Sequence, residues 1–484
     1  MVVTRGRHRA GSAAAVLTAA AAVALAASLP LAPAAQAATR SAAPVQVGLF
    51  GSQDPTYDGV FRQSLALLAY AAAGTTPPAD AVHWLLAQQC ADGGFEAFRA
   101  DPAAACSPSD PATYSGEDTN STGMASVALR ALGHGAEADR ALGWALAAQR
   151  PDGGFPYFAG GDSDANSTAV VLFATGSAGR TPSAVASGGP SAADFLASLQ
   201  IGCDGAATDD DGGFAFQDYG AGLTDNDAAS VQATLALTGA ALPLAAATVS
   251  TDVPRQTCTP APVATSDSPA ALGAGHIARV LDAFGGAIPQ FDYSTGARRP
   301  GTVSAGDTAW AALSLAAAGV GRTQLDAAIA TLTTATGLPA AGLASGSAAP
   351  STASGSSTAA ALAAPHARTA TASSDEPGLL GVVALAAHAA GAASTTVDAA
   401  VTRIGATMRT AAATATPTPS GTTASPSPSA SGTHASPNDD PGDAASLPPT
   451  GATPLTVPLG VGGLGLMGLG ALVLAYGRRR GAHS

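Results

Sequence analysis

Apolar residues recur at helical spacing in twelve short stretches between positions 61 and 409, separated by small and polar residues. In 61–73 they put Leu65, Leu68 and Ala69 on one face, and in 79–89, opened by Pro78, they do the same with Val82, Leu85 and Leu86. The same reading predicts helices over 122–132, 136–149, 167–175, 192–200, 228–237, 271–284, 308–318, 324–335, 377–390 and 397–409. Two classes alternate. One follows an Asp-bearing polar loop and ends in glycine, at Gly74, Gly133, Gly176, Gly239, Gly319 and Gly391; the other starts just after that glycine. Glycine supplies a left-handed residue that ends a helix, and Asp accepts the free amide hydrogens at the next start.

A repeat runs through this pattern. Asp-Gly-Gly-Phe occurs at Asp92 to Phe95, Asp152 to Phe155 and Asp211 to Phe214, each time after a helix ending in Gln and before an Ala/Leu-rich one. The expected fold is therefore all-α: six glycine-ended inner helices, each with an outer partner, arranged as a ring of about six hairpins over 45–411. Because the first helix is of the inner type and the last of the outer type, the last must pack on the first to bury its face. After Phe284 the motif decays to Gly285-Gly286-Ala287-Ile288-Pro289-Gln290-Phe291, and 338–374 reads as a long Ala/Ser/Gly-rich loop.

Both ends read as addresses. Residues 1–37 carry Arg5, Arg7 and Arg9, then an apolar run, then Ala35-Gln36-Ala37, the form of a secretory signal peptide. Residues 412–446 form a Thr/Ser/Pro-rich stalk without apolar bulk, expected to be disordered, that reaches roughly 100 Å when extended. In 447–484, Leu447-Pro448-Pro449-Thr450-Gly451 precedes an apolar stretch at 459–476 and Arg478-Arg479-Arg480. That order resembles the LPxTG cell-wall sorting signal of Gram-positive surface proteins, in which a sortase cuts after the Thr and joins it to peptidoglycan. The resemblance implies a secreted chain with sortase and peptidoglycan as partners, the helical part outside the cell, and a membrane contact through the apolar C-terminal segment until processing. A simple single-span anchor is the other reading of that segment.

Charge narrows the partners. Residues 38–450 carry 15 arginines against 34 acidic side chains, a formal charge of −19, so nucleic acid, which needs a basic surface, is not an expected ligand. The chain has no lysine, hence no Schiff base and no isopeptide cross-link. Cys90, Cys106, Cys203 and Cys258 are an even count in an exported chain, which favours two disulfides over a metal site, since no Cys-x-x-Cys occurs. Four cysteines allow three connectivities; nearness in sequence suggests Cys90 with Cys106 and Cys203 with Cys258.

The unit from Gln89 to Phe95 and from Gln149 to Phe155 resembles the prenyltransferase/squalene oxidase repeat of protein prenyltransferase β-subunits and terpenoid cyclases, and Asp307-Thr308-Ala309-Trp310 resembles an inner-helix start of those families. The resemblance implies an α/α toroid. It does not carry the chemistry across. The Asp-x-Asp-Asp acid of alkene-protonating cyclases is matched only by Asp162-Ser163-Asp164-Ala165 and Asp225-Asn226-Asp227-Ala228, each with Ala in place of the last carboxylate. The Asp/Cys/His zinc site of the prenyltransferases has no counterpart among the scattered His83, His134, His276, His366 and His388. Asp162-x-Asp164-x-Asn166 lacks the Gly and the distal Glu of a calcium loop. No metal and no cofactor is expected.

One end of the ring should collect the Asp-Gly-Gly-Phe turns and the inner-helix starts. The candidate binding rim there is Asp118, Asp164, Asp225, Asp227 and Asp307 with Tyr157, Phe158, Phe216 and Phe291, aromatic faces beside carboxylates that suit a glycan, a peptide or a small ligand. The competing account makes each Phe a plug between helices and each Asp a helix cap. Two functions follow. One is a cell-wall-anchored surface protein whose helical part is a non-catalytic binding or scaffold module; the other is a secreted enzyme of terpenoid-cyclase or glycan-cleaving type.

Overall fold

A computed structural model describes residues 46–202, 210–255, 268–292, 297–342 and 375–411. The leader, the stalk and the sorting signal, with Leu447, Pro448, Thr450 and Gly451, lie outside the described residues, as do Cys203, Cys258 and most of the 338–374 loop. Among the described residues the fold is all-α. Twelve helices follow one another: α1 (Gly59–Ala72), α2 (Ala79–Gln88), α3 (Thr119–Ala131), α4 (Gly135–Ala147), α5 (Ala165–Ser177), α6 (Ala192–Ser198), α7 (Asp227–Leu237), α8 (Pro269–Ala283), α9 (Ala305–Ala318), α10 (Arg322–Thr336), α11 (Pro377–Ala389) and α12 (Ser394–Ala406). Two antiparallel pairs of two-residue strands complete them: β1 (Phe155–Pro156) with β2 (Ser163–Asp164), and β3 (Phe291–Asp292) with β4 (Ala297–Arg298).

All twelve lie within a turn of where apolar spacing puts them. Helices α3, α5 and α9 begin two or three residues early, because their first turns are polar or small and leave no trace in apolar periodicity. Asp118 caps α3 by accepting the Ser121 N–H at 2.7 Å, and Asp164 caps α5 through Ser167 N–H, also at 2.7 Å. Gly176 requires a correction. It does not end its helix; it lies inside α5, where an added methyl would stand 2.9 Å from the Ala240 carbonyl oxygen, and the left-handed residue is Gly179 at φ 74°. Glycine is needed at 176 for close approach, not for termination.

The odd-numbered helices are buried along most of their length and the even-numbered ones on one stripe, except α8, which is buried almost continuously from Leu272 to Leu281. Packing order explains this. Helix α1 packs on α3, α3 on α5, α5 on α7, α7 on α9, α9 on α11, and α11 returns to α1. Helix α12 lies against both α11 and α1. Phe173 of α5 stacks on Trp310 of α9 with ring centroids 5.5 Å apart, although α7 is the helix that packs on both.

The repeated turn is a clamp. Phe95, Phe155 and Phe214 are fully buried, and their N–H groups donate to the hydroxyl of Thr122, Thr168 or Ser230 in the next odd helix at 2.7–2.9 Å. The amide nitrogens of Gln89, Gln149 and Gln200 donate to the carbonyls of Gly93, Gly153 and Gly212, and also to Glu137, Val185 and Pro269 at or just ahead of the following even helix or turn. Gly153 takes φ 92°, and a methyl on Gly154 would lie 2.7 Å from the Phe195 ring, so each glycine of the pair has its own reason.

Two further copies carry no readable motif. Ile288 N–H donates to Thr308 Oγ1, so Ile288, not Phe291, fills the Phe position of the decayed fourth turn. At the start of the described chain, Phe50 N–H donates to Gln63 Oε1, while Gln63 Nε2 donates to Gly48 and Ala81 carbonyls. That turn is completed from the far end: Gly48 N–H donates to the Arg409 carbonyl, and Arg409 N–H to the Leu49 carbonyl, both at 2.9 Å.

Candidate functional site

Each odd helix carries an acid in or beside its first turn: Asp58, Asp118, Asp164, Asp227, Asp307 and Glu376 for α1, α3, α5, α7, α9 and α11. They are buried. Burial pushes Asp118 up to about 7 and Asp164 and Asp307 up to about 6, and it raises Glu376 as well. Asp58 is also raised to about 6 by burial, with Arg62 opposing and Glu376 adding to the effect. The carboxylates of Asp118, Asp164 and Asp58 add to burial in raising the Tyr157 phenol well above its ordinary value, so these helix starts face one region.

The rim residues divide by what holds them. Asp118 and Asp164 are helix caps, and Asp164 also accepts the Ser167 hydroxyl at 2.8 Å. Asp225 and Asp227 are not caps: Asn226 caps α7 through Ala229 N–H. Nor is Asp307, which sits two residues beyond the start of its helix and accepts the Ser304 hydroxyl at 2.6 Å. Tyr157 and Phe158 meet edge to face at 4.6 Å, and Tyr114 packs edge-on against Phe158 at 6.3 Å. Phe216 and Phe291 are half-buried. The Phe216 carbonyl accepts Ala165 N–H, which ties the loop before α7 to the start of α5.

Arg298 organises the third group, which the sequence does not show. The short hairpin of β3 and β4 brings its guanidinium onto Asp227, at 2.8 Å, and onto Asp225, with Asp210 at 3.7 Å. His276 of α8 lies 3.4 Å from the same Asp225, and Ser230 Oγ donates to it at 2.7 Å. Burial works to raise Asp225, but His276 and Arg298 outweigh it and hold its carboxyl below the ordinary range. Asp227 stays raised, since there burial exceeds the help from Arg298. No sequence signal could have found this cluster, since Arg298 lies 71 residues beyond Asp227.

Cys90 and Cys106 form a disulfide with Cα atoms 5.8 Å apart. Their sulfurs and a Glu117 carboxylate oxygen lie within 4.8 Å of one another, the one such group of potential ligands among the described residues. With both sulfurs bonded together, thiolate ligation there is closed off. Burial, and then Asp92, push Glu117 up to about 8. A separate concavity of about 620 Å³ lies on the outer flank of α2, lined by Gln46, Asp80, His83, Trp84 and Asp101 among others. Among the described residues no helix is long and apolar enough to cross a membrane.

No known protein-family model matches the chain, and no curated protein matches it. Among solved structures, a protein from Actinoplanes is 18% identical over 57% of this chain and 71% of its own, with a TM-score of 0.33. A likeness at that level carries no argument about fold or chemistry.

Proposed function

We propose that this chain is exported, joined through Thr450 to peptidoglycan by a sortase, and held outside the cell as a non-catalytic binding or scaffold module. In this reading the twelve helices form an α/α toroid of the prenyltransferase and terpenoid-cyclase type. Support for the ring comes from the packing order, in which α11 returns to α1 and the first and last turns share hydrogen bonds.

The observation that carries the non-catalytic reading is the Phe173–Trp310 stack. Two buried aromatic rings from helices on either side of α7 meet, and in a ring of these helices such a contact takes up space that a cyclase would keep open. The acids agree with this. Asp118 and Asp164 are committed to capping, and Asp225 and Asp227 to Arg298, so the residues that stand where the cyclase acid run would be are already engaged. The test is incubation of the purified chain with squalene and with prenyl diphosphates, followed by mass spectrometry. No product is expected; product that disappears in Asp164→Ala would overturn the reading. Anchoring is tested separately, by whether muramidase digestion releases the chain from the wall and Thr450→Ala abolishes that attachment.

A further inference from the structure

We propose that the concavity on the outer flank of α2 is a binding site for a small organic cation, an amine carried on a flat apolar body. Its floor is apolar. Trp84 donates its indole N–H to Gln46 Oε1 at 3.1 Å and runs parallel to Phe98 with centroids 6.4 Å apart, so its own polar atom is already used. Gln46 in turn donates to the Ala100 carbonyl, which fixes the loop that forms the far wall. Val47, Ala87, Ala100 and Pro102 supply the remaining apolar lining, and Val47 is among the few large hydrophobic residues left exposed on the described surface.

Charge selects the ligand. Asp80, in the first turn of α2, and Asp101 both line the concavity, and neither has a basic partner within ion-pair distance among the described residues. The cations that other acids of this protein use are engaged elsewhere: Arg62 on Asp58, Arg298 on the α7 cluster, Arg403 on Asp375. A space of about 620 Å³ falls within the range of roughly 300–1,000 Å³ that holds small-molecule ligands. Apolar walls with two unpaired carboxylates favour an apolar body bearing positive charge and repel its anionic analogue. The net acidity of the chain points the same way, since it draws cations towards the surface. The site is separate from the buried acids and from the mode of display, so its failure would leave the proposed function untouched.

The test titrates the full chain with tryptamine and, in parallel, with indole-3-propionate, by calorimetry. Tryptamine should bind with a dissociation constant in the millimolar range or below, and binding should weaken as salt is raised. The Asp80→Asn/Asp101→Asn double variant, whose carboxamides keep the Asp101 turn acceptor, should fold with unchanged helical circular dichroism and lose affinity at least tenfold. Ala87→Phe, which fills the space from an exposed helix position, should lose it too. Equal binding of tryptamine and indole-3-propionate, wild-type affinity in the double variant, or absence of tryptamine binding at millimolar concentration would each overturn the proposal.

Discussion

Asp118 shows at the scale of one residue how a cap and a charge pull in opposite directions. Its carboxylate closes α3, yet burial raises its pKa to about 7, so the folded chain holds a proton there that the unfolded chain releases near 4. A group raised in this way contributes stability below its unfolded pKa and loses it as pH rises through the folded one. Asp58, Asp164 and Asp307, raised to about 6, share that sign. The chain should therefore melt at a higher temperature at pH 5 than at pH 7.5, whereas Asp225, held low, costs stability only as pH falls through its depressed value. Asp118→Asn keeps a capping oxygen and removes the charge. It should raise stability at pH 7.5 by about 1–3 kcal/mol and flatten the pH slope, read from thermal melts at both pH values. Arg298→Ala should act the other way, costing about 3 kcal/mol by leaving Asp225 and Asp227 without their cation; addition of Asp227→Asn should restore part of it, as denaturant titration would show.

Elements were the most legible level in the sequence. Apolar spacing marked all twelve helices, and three Asp-Gly-Gly-Phe turns were visible because each needs two glycines for separate geometric reasons. Gly154→Ala puts a methyl 2.6 Å from the Ser163 side chain and 2.7 Å from Phe195, and should cost about 1–3 kcal/mol. Gly143→Ala, on the exposed side of α4 with no atom within 4 Å, should instead stabilise by roughly 0.5–1 kcal/mol. Chemical denaturation of the two variants separates these signs. The turns built from Ile288 and from Phe50 were hidden, since a different apolar side chain can fill the slot and Gln63 can do the work of both a Thr and a Gln. The candidate site was legible only in part. Spacing gathered the Asp residues at helix starts, but which are caps and which bind Arg298 depends on a contact across 71 residues that no local pattern encodes.

At the scale of the whole molecule, the account depends on the helices closing into a circle. The Phe173–Trp310 stack fits that arrangement, and Phe173→Ala should cost about 3–5 kcal/mol because it empties a buried space between helices that are not direct neighbours. In the proposed ring, closure would rest on the backbone hydrogen bonds between segments more than 350 residues apart: Gly51 N–H to the Thr407 carbonyl, with the two bonds that join Gly48, Leu49 and Arg409. Arg409 adds its guanidinium to the carbonyls of Gly51 and Gln53. Native-state amide hydrogen exchange of the 46–52 and 405–411 peptides tests this most directly. A closed ring predicts that Gly48, Gly51 and Arg409 exchange as slowly as the buried middle of α1; exchange at the rate of unstructured chain, with α1 still protected, would contradict it.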